Sequence, residues 1–229
     1  MLQKMLEAGV HVGHQKSKGH PKMKPYVFTT RQSIQIINVE KTLEKLQEAK
    51  EFLKGVAAKG GVVLFVATKV PGKMLVKNAA AEAGMPWVQV RWLGGTLTNF
   101  PIFLKRLEYF LGQEQKQSKG EFDKYPKKEQ VLFARELASL ETKMGGLKSL
   151  KKLPDALIVV DIGEHFSAVR EARKMGVPVV AISDTNADPT LVSHPVPAND
   201  RSILSVSLIL NELVSALKEG KAKAEVPTV

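Results

Sequence analysis

Short apolar runs punctuate the chain at residues 34–39, 62–67, 87–90, 156–160 and 178–182. Each is mostly apolar, rich in β-branched residues and more continuous than alternating, which predicts strands buried on both faces, because a half-exposed strand would alternate. Amphipathic periods between and after them predict helices over 39–59, 72–83, 165–175 and 202–219. Gly84 and Gly176 stand where two of these helices should end, and Pro86 and Pro178 open the strands that follow. Alternation of this kind predicts an α/β fold, an open doubly wound parallel sheet with right-handed crossovers.

One stretch breaks that rhythm. More than sixty residues separate the runs at 87–90 and 156–160, far beyond one crossover helix. Within them Phe100, Leu104, Leu107 and Leu111 recur at spacings of four, three and four, as do Phe133, Leu137, Leu140 and Met144. Two such seams predict an antiparallel coiled-coil hairpin over 99–152, inserted into an α/β domain formed by 1–98 and 153–229. Its arms of about 19 residues would reach on the order of 28 Å, with a polar, solvent-exposed tip near 112–126. Two helices lying flat on the sheet fit the same spacings. The polar tail 221–229 is expected to fray.

Charge adds direction. The 229 residues carry 34 Lys+Arg against 23 Asp+Glu, a net charge of +11, which points to a polyanionic partner. The excess is uneven: residues 1–31 carry +5, 32–104 carry +4 and 105–154 carry +5, whereas 155–229 carry −3. With no cysteine, disulfide frameworks, thiolate nucleophiles and Cys-ligated zinc are excluded. No apolar run suits a membrane span, and the opening residues lack the apolar core of a secretory signal. A cytoplasmic protein is expected.

The fold class makes a nucleotide-binding enzyme the natural rival, but its signatures are missing from the sequence. There is no GxGxxG, and the loop ATKVPGKM lacks the leading glycine and the Ser/Thr of a phosphate loop. Lys69 and Lys73 in that loop could meet phosphates or simply be solvated. His11, His14 and His20 lack the spacing and the glutamate of a zincin site and lie among lysines. Asp184, Asp188 and Asp200 could hold a hard cation, though turn formation explains them equally well. No serine sits in GxSxG. No catalytic residue, cofactor or metal is assigned.

Two segments speak for nucleic acid. Residues 7–31 combine His14, Lys16, Lys18, Lys22, Lys24 and Arg31 with glycines, prolines, Tyr26 and Phe28, so cations can neutralise phosphates where glycine permits close approach. Residues 91–100, RWLGGTLTNF, offer Arg91 and Trp92 at a strand end, with the ring free either to stack on a base or to pack in the core.

EAGVHVGH, PKMKPYVF, RWLGGTLTNF, LPDALIVVD, EARKMGVPVVAISDTNADP and PANDRS, in this order, closely resemble the bacterial form of ribosomal protein S-two of the small subunit. The resemblance runs from about Leu6 to Leu217. It implies a structural, non-enzymatic component of the ribosome, a flavodoxin-like α/β domain with a protruding coiled coil, docked on small-subunit rRNA. It also implies help in recruiting a large neighbouring protein built of OB modules. By motif, the resemblance implies that His14, Lys22, Lys24, Arg31, Arg91 and Trp92 are candidates for the rRNA-facing side. Two departures stand out. Relatives commonly read Arg-Arg-Trp-Asn-Pro-Lys-Met where this chain has Ser17-Lys18-Gly19-His20-Pro21-Lys22-Met23, and their usual Asp-Pro with a Glu three residues on is here Asp161-Ile162 with His165.

Overall fold

The computed structural model describes residues 1–224; the end of the expected frayed tail, 225–229, lies outside them. A short helix, α1 (Leu2–Glu7), leads into β1 (Val12–Gln15), β2 (Val27–Arg31) and β3 (Ile34–Ile37). These three strands form a small antiparallel sheet in the order β1-β3-β2. The run at 34–39 therefore does not join the parallel sheet. Only Gln32 and Ser33 separate β3 from β2, and a two-residue connection can join antiparallel strands only.

Helix α2 (Val39–Ala58) starts at Asn38, whose side-chain oxygen accepts from the N–H groups of Glu40 and Lys41. The main sheet follows. Strands β4 (Val63–Val66), β5 (Trp87–Val88), β6 (Ala156–Val160), β7 (Val179–Ser183) and β8 (His194–Pro197) are all parallel, in the order β5-β4-β6-β7-β8. Successive side chains go to opposite faces: Val63 and Phe65 join one core, Leu64 and Val66 the other. Helices α2, α3 (Gly72–Ala83) and α7 (Ile203–Ala224) pack on the first face, while α6 (Phe166–Lys174) contributes to the second. Gly84 ends α3 at φ 61° and Gly176 follows α6 at φ 69°, left-handed values that favour glycine. Residues 221–224 continue α7 rather than fraying.

Strand β8 was not expected because its sequence, HPVP, holds two prolines; the edge of a sheet accepts them. Between β5 and β6 the chain forms α4 (Phe100–Ser118) and α5 (Lys127–Met144). They run side by side in opposite directions: Tyr109 donates to Glu136, and Lys148 bridges Glu114 and Glu141 at 2.7 Å each. Leu107, Leu137, Leu140 and Met144 are buried as expected, but Phe103 and Phe110 replace Phe100, Leu104 and Leu111, which are only half-buried. The tip is not purely polar, since Phe122 stacks on Phe133 at 5.0 Å and Tyr125 meets the same ring edge-on at 5.3 Å. Among the described residues no helix is long and apolar enough to cross a membrane.

Candidate nucleic-acid interface

The loops leaving β7 and β8 hold the N-terminal segment. Thr185, just after β7, accepts from the His14 N–H through its hydroxyl (2.9 Å) and from the His20 N–H through its carbonyl (2.8 Å). Beyond β8, Asn199 donates to the carbonyls of Val10 and Gly9, Arg201 Nη2 to that of Gly13 (2.8 Å), and the Ser202 hydroxyl to that of Ala8. Close approach depends on Gly13, where a Cβ would lie 2.7 Å from Thr185 Cγ2 and 2.9 Å from the Gln35 carbonyl. The motifs DTNADP and PANDRS thus bind the first strand to the carboxyl edge of the main sheet.

On that platform Lys16, Lys18, Lys24 and Arg31 are exposed, and among the described residues none makes an ion pair. Phe28, on the edge strand β2, is 74% exposed. Lys16 N–H donates to the Ser33 carbonyl, so Lys16 and Arg31 flank the turn at Gln32 and Ser33. Both turn residues have positive φ, 47° and 63°, a strained state for side chains other than glycine. Lys22 differs from its neighbours. Its ammonium meets Asp188 at 2.7 Å and the Thr190 hydroxyl at 2.8 Å. Burial pushes the Asp188 carboxyl up, but the bonds from Lys22 and Thr190 outweigh it and bring the pKa down to about 2. His14 turns inward, its Nδ1 lying 2.7 Å from Asp184.

The second basic segment stands apart, secured by a residue the sequence did not single out. Glu171 on α6 accepts from the Trp92 indole N–H (3.0 Å), from the N–H groups of Gly95, Leu97 and Thr98, and from the Thr98 hydroxyl. Burial alone would raise its pKa; those hydrogen bonds prevail and hold it below the ordinary value. Trp92 is half-buried and packs on the second core, while Arg91 is exposed. Within EARKMG, Glu171 reads as one more solvated helix charge, so no local signal marks it.

Lys69 and Lys73 lie at the third place, between β4 and β6, where strand order reverses and doubly wound sheets take ligands. Both are exposed, Lys69 within 3.7 Å of Glu164. The crevice itself is spanned by His165, which is 3% exposed. Its Nδ1 faces the Asp161 carbonyl at 2.9 Å, an acceptor only, so Nδ1 carries the hydrogen. Nε2 then accepts from the Thr68 N–H at 2.9 Å, with the Thr68 hydroxyl 3.0 Å away. Asp161 itself has φ 67°. The residue that departs from the family pattern thus ties together the two strand ends at which a phosphate loop would sit.

The structure therefore leaves Lys16, Lys18 and Lys24 exposed in the 3-10 turns that link β1 to β2, and Arg31 at the end of β2, while Lys69 lies just before α3, Lys73 in its first turn and Arg91 on the loop after β5. The sequence profile of the family described as Ribosomal protein S2 matches residues 5–220, nearly the whole chain. The chain belongs to the ribosomal protein S2 family, whose members are structural constituents of the ribosome and not enzymes.

Proposed function

We propose that the chain binds the rRNA of the small ribosomal subunit in the cytoplasm, through the small antiparallel sheet and the loops beside it. The observation that carries this reading is the group of exposed, unpaired cations Lys16, Lys18, Lys24 and Arg31 on a segment held by backbone hydrogen bonds. Cations already neutralised by carboxylates gain little from phosphate. Free ones release counterions on contact and make binding dominated by backbone charge. Arg91, Lys69 and Lys73 extend the contact, and Lys22, His14 and Trp92 serve to position it.

If about six phosphates are neutralised, the logarithm of affinity falls with the logarithm of salt at a slope on the order of −4 to −6. Charge reversal of Lys16, Lys18 and Lys24 to Glu lowers that slope by about three and reduces incorporation into subunits. A salt-independent binding curve, or normal incorporation of the triple variant, contradicts the reading.

We also propose that residues 99–152 form a coiled-coil arm, separate from a domain of 1–98 and 153–229, which helps seat the neighbouring OB-module protein. The exposed Tyr125 beside Phe122 and Phe133 at its tip supports this. Deleting residues 112–128 removes the neighbour from subunits while rRNA binding persists; a subunit that retains the neighbour argues against it.

A further inference from the structure

Sequence spacing groups His14 with His11 and His20, and Asp184 with Asp188 and Asp200. The fold regroups them. His14 on β1, Asp184 after β7 and Asp200 after β8 each offer one ligand atom, and these atoms all lie within 4.8 Å of one another. Asp184 is fully buried and Asp200 only 6% exposed. Asp188 has left the group for Lys22.

The three side chains fit an absent partner better than they fit each other. His14 Nδ1 and Asp184 Oδ2 are both buried and lie 2.7 Å apart, yet neither makes a hydrogen bond of acceptable direction. Asp184 Oδ1 is already used by the Thr185 N–H at 2.6 Å, so Oδ2 is left aimed into the cluster. Arg201 Nε, 3.7 Å from that oxygen, is the nearest fixed cation, and its Nη2 is committed to the Gly13 carbonyl. Two adjacent buried carboxyls face one imidazole and one guanidinium 3.7 Å away, so burial of their charge is poorly compensated.

We propose that His14, Asp184 and Asp200 form a binding site for a single zinc ion. One imidazole nitrogen and two carboxylate oxygens are a donor set suited to zinc, with water completing the tetrahedron. Magnesium and calcium prefer all-oxygen sites, so the imidazole disfavours them. The ion joins the first strand of the small sheet to the two loops that hold it, and so fixes the basic segment on the body of the protein. The site concerns the inner side of that segment and does not depend on what its outer face binds.

The test is titration of the purified full-length chain, stripped with EDTA, with zinc chloride followed by calorimetry. One equivalent binds, and the melting temperature rises by about 5–10 °C at zinc a hundredfold above the dissociation constant. Magnesium binds at least a hundredfold more weakly. His14→Gln and Asp184→Asn each lose at least a hundredfold in zinc affinity. Because Asp184→Asn can itself impair folding, the wild-type chain supplies the deciding measurement. In crystals grown with one equivalent of zinc, the strongest zinc-edge anomalous peak lies between these three side chains. No stoichiometric zinc in the folded wild type, equal affinity for magnesium, zinc affinity unchanged in both folded variants, or an anomalous peak elsewhere overturns the proposal.

Discussion

Two places along the carboxyl edge of one sheet have opposite polar bookkeeping. Between β4 and β6, the usual ligand crevice, the polar groups at the two strand ends are answered from within: His165 takes the Thr68 N–H on one nitrogen and gives to the Asp161 carbonyl with the other. Beyond β7 and β8 the loops reach outward, capturing the backbone of the N-terminal segment and leaving Asp184 Oδ2 without a hydrogen bond. A shared fold does not fix which end of the sheet is used. Here the crevice is closed, and the adjacent edge has become a mount for a strand that carries charge.

The contrast can be broken most severely at its closed end. His165→Ala removes the partner of the Thr68 N–H and leaves a void where the buried ring stood, while the Asp161 carbonyl keeps only the backbone N–H of residue 165; urea unfolding should register a loss of about 3 kcal/mol. A loss below about 0.5 kcal/mol would mean that the ring does not seal the crevice. At the open end, Gly13→Ala drives a methyl into Thr185 and the Gln35 carbonyl; the expected cost is about 2 kcal/mol. Hydrogen exchange should quicken across residues 12–37 and not in β4 or β6, and uniform quickening would show that the segment is not a separable mount.

A smaller effect comes from Lys22. Lys22→Met should cost about 1 kcal/mol at neutral pH, the value reduced for solvent screening of a half-exposed ammonium. Because the fold lowers the Asp188 pKa to about 2, below the ordinary value near 3.9, this stability is fully present above about pH 4. It is lost as pH falls through about 2. Thermal melts of the two proteins should converge over that interval, and a gap that persists at pH 2 would point to packing instead. The mildest expectation is a gain: Ser33→Gly relieves a left-handed residue in the β2–β3 turn and adds about 0.5–1 kcal/mol. If calorimetric unfolding shows a loss instead, the Ser33 side chain contributes something its backbone strain conceals.

The parallel sheet was legible because β4, β6 and β7 need apolar side chains on both faces, and only unbroken runs provide them. Ile34–Ile37 gave the same signal for another reason: its outer residues are half-buried in the small sheet, and composition alone does not distinguish the two settings. Strand β8 was hidden by its prolines. In the insertion, the existence of two facing helices was readable, but the buried stripe of α4 is rotated towards Phe103 and Phe110. The cations Lys16, Lys18, Lys24 and Arg31 were legible from charge density. What made them a platform was not, because Thr185, Asn199, Arg201 and Ser202 act across more than 160 positions of chain. Glu171 drew no notice for the same reason, and His165 stood out only as a departure whose role stayed unreadable, since a tether has meaning only with its partner in place.

That sequence separation has a temporal side. The first strand is synthesised well before its anchors at Thr185 and Asn199–Ser202, which follow it by more than 160 residues. Contacts so remote along the chain close late. The cationic segment therefore acquires its fixed orientation only after residues 185–202 have been synthesised, and a shorter nascent chain displays its lysines without the mount that orients them.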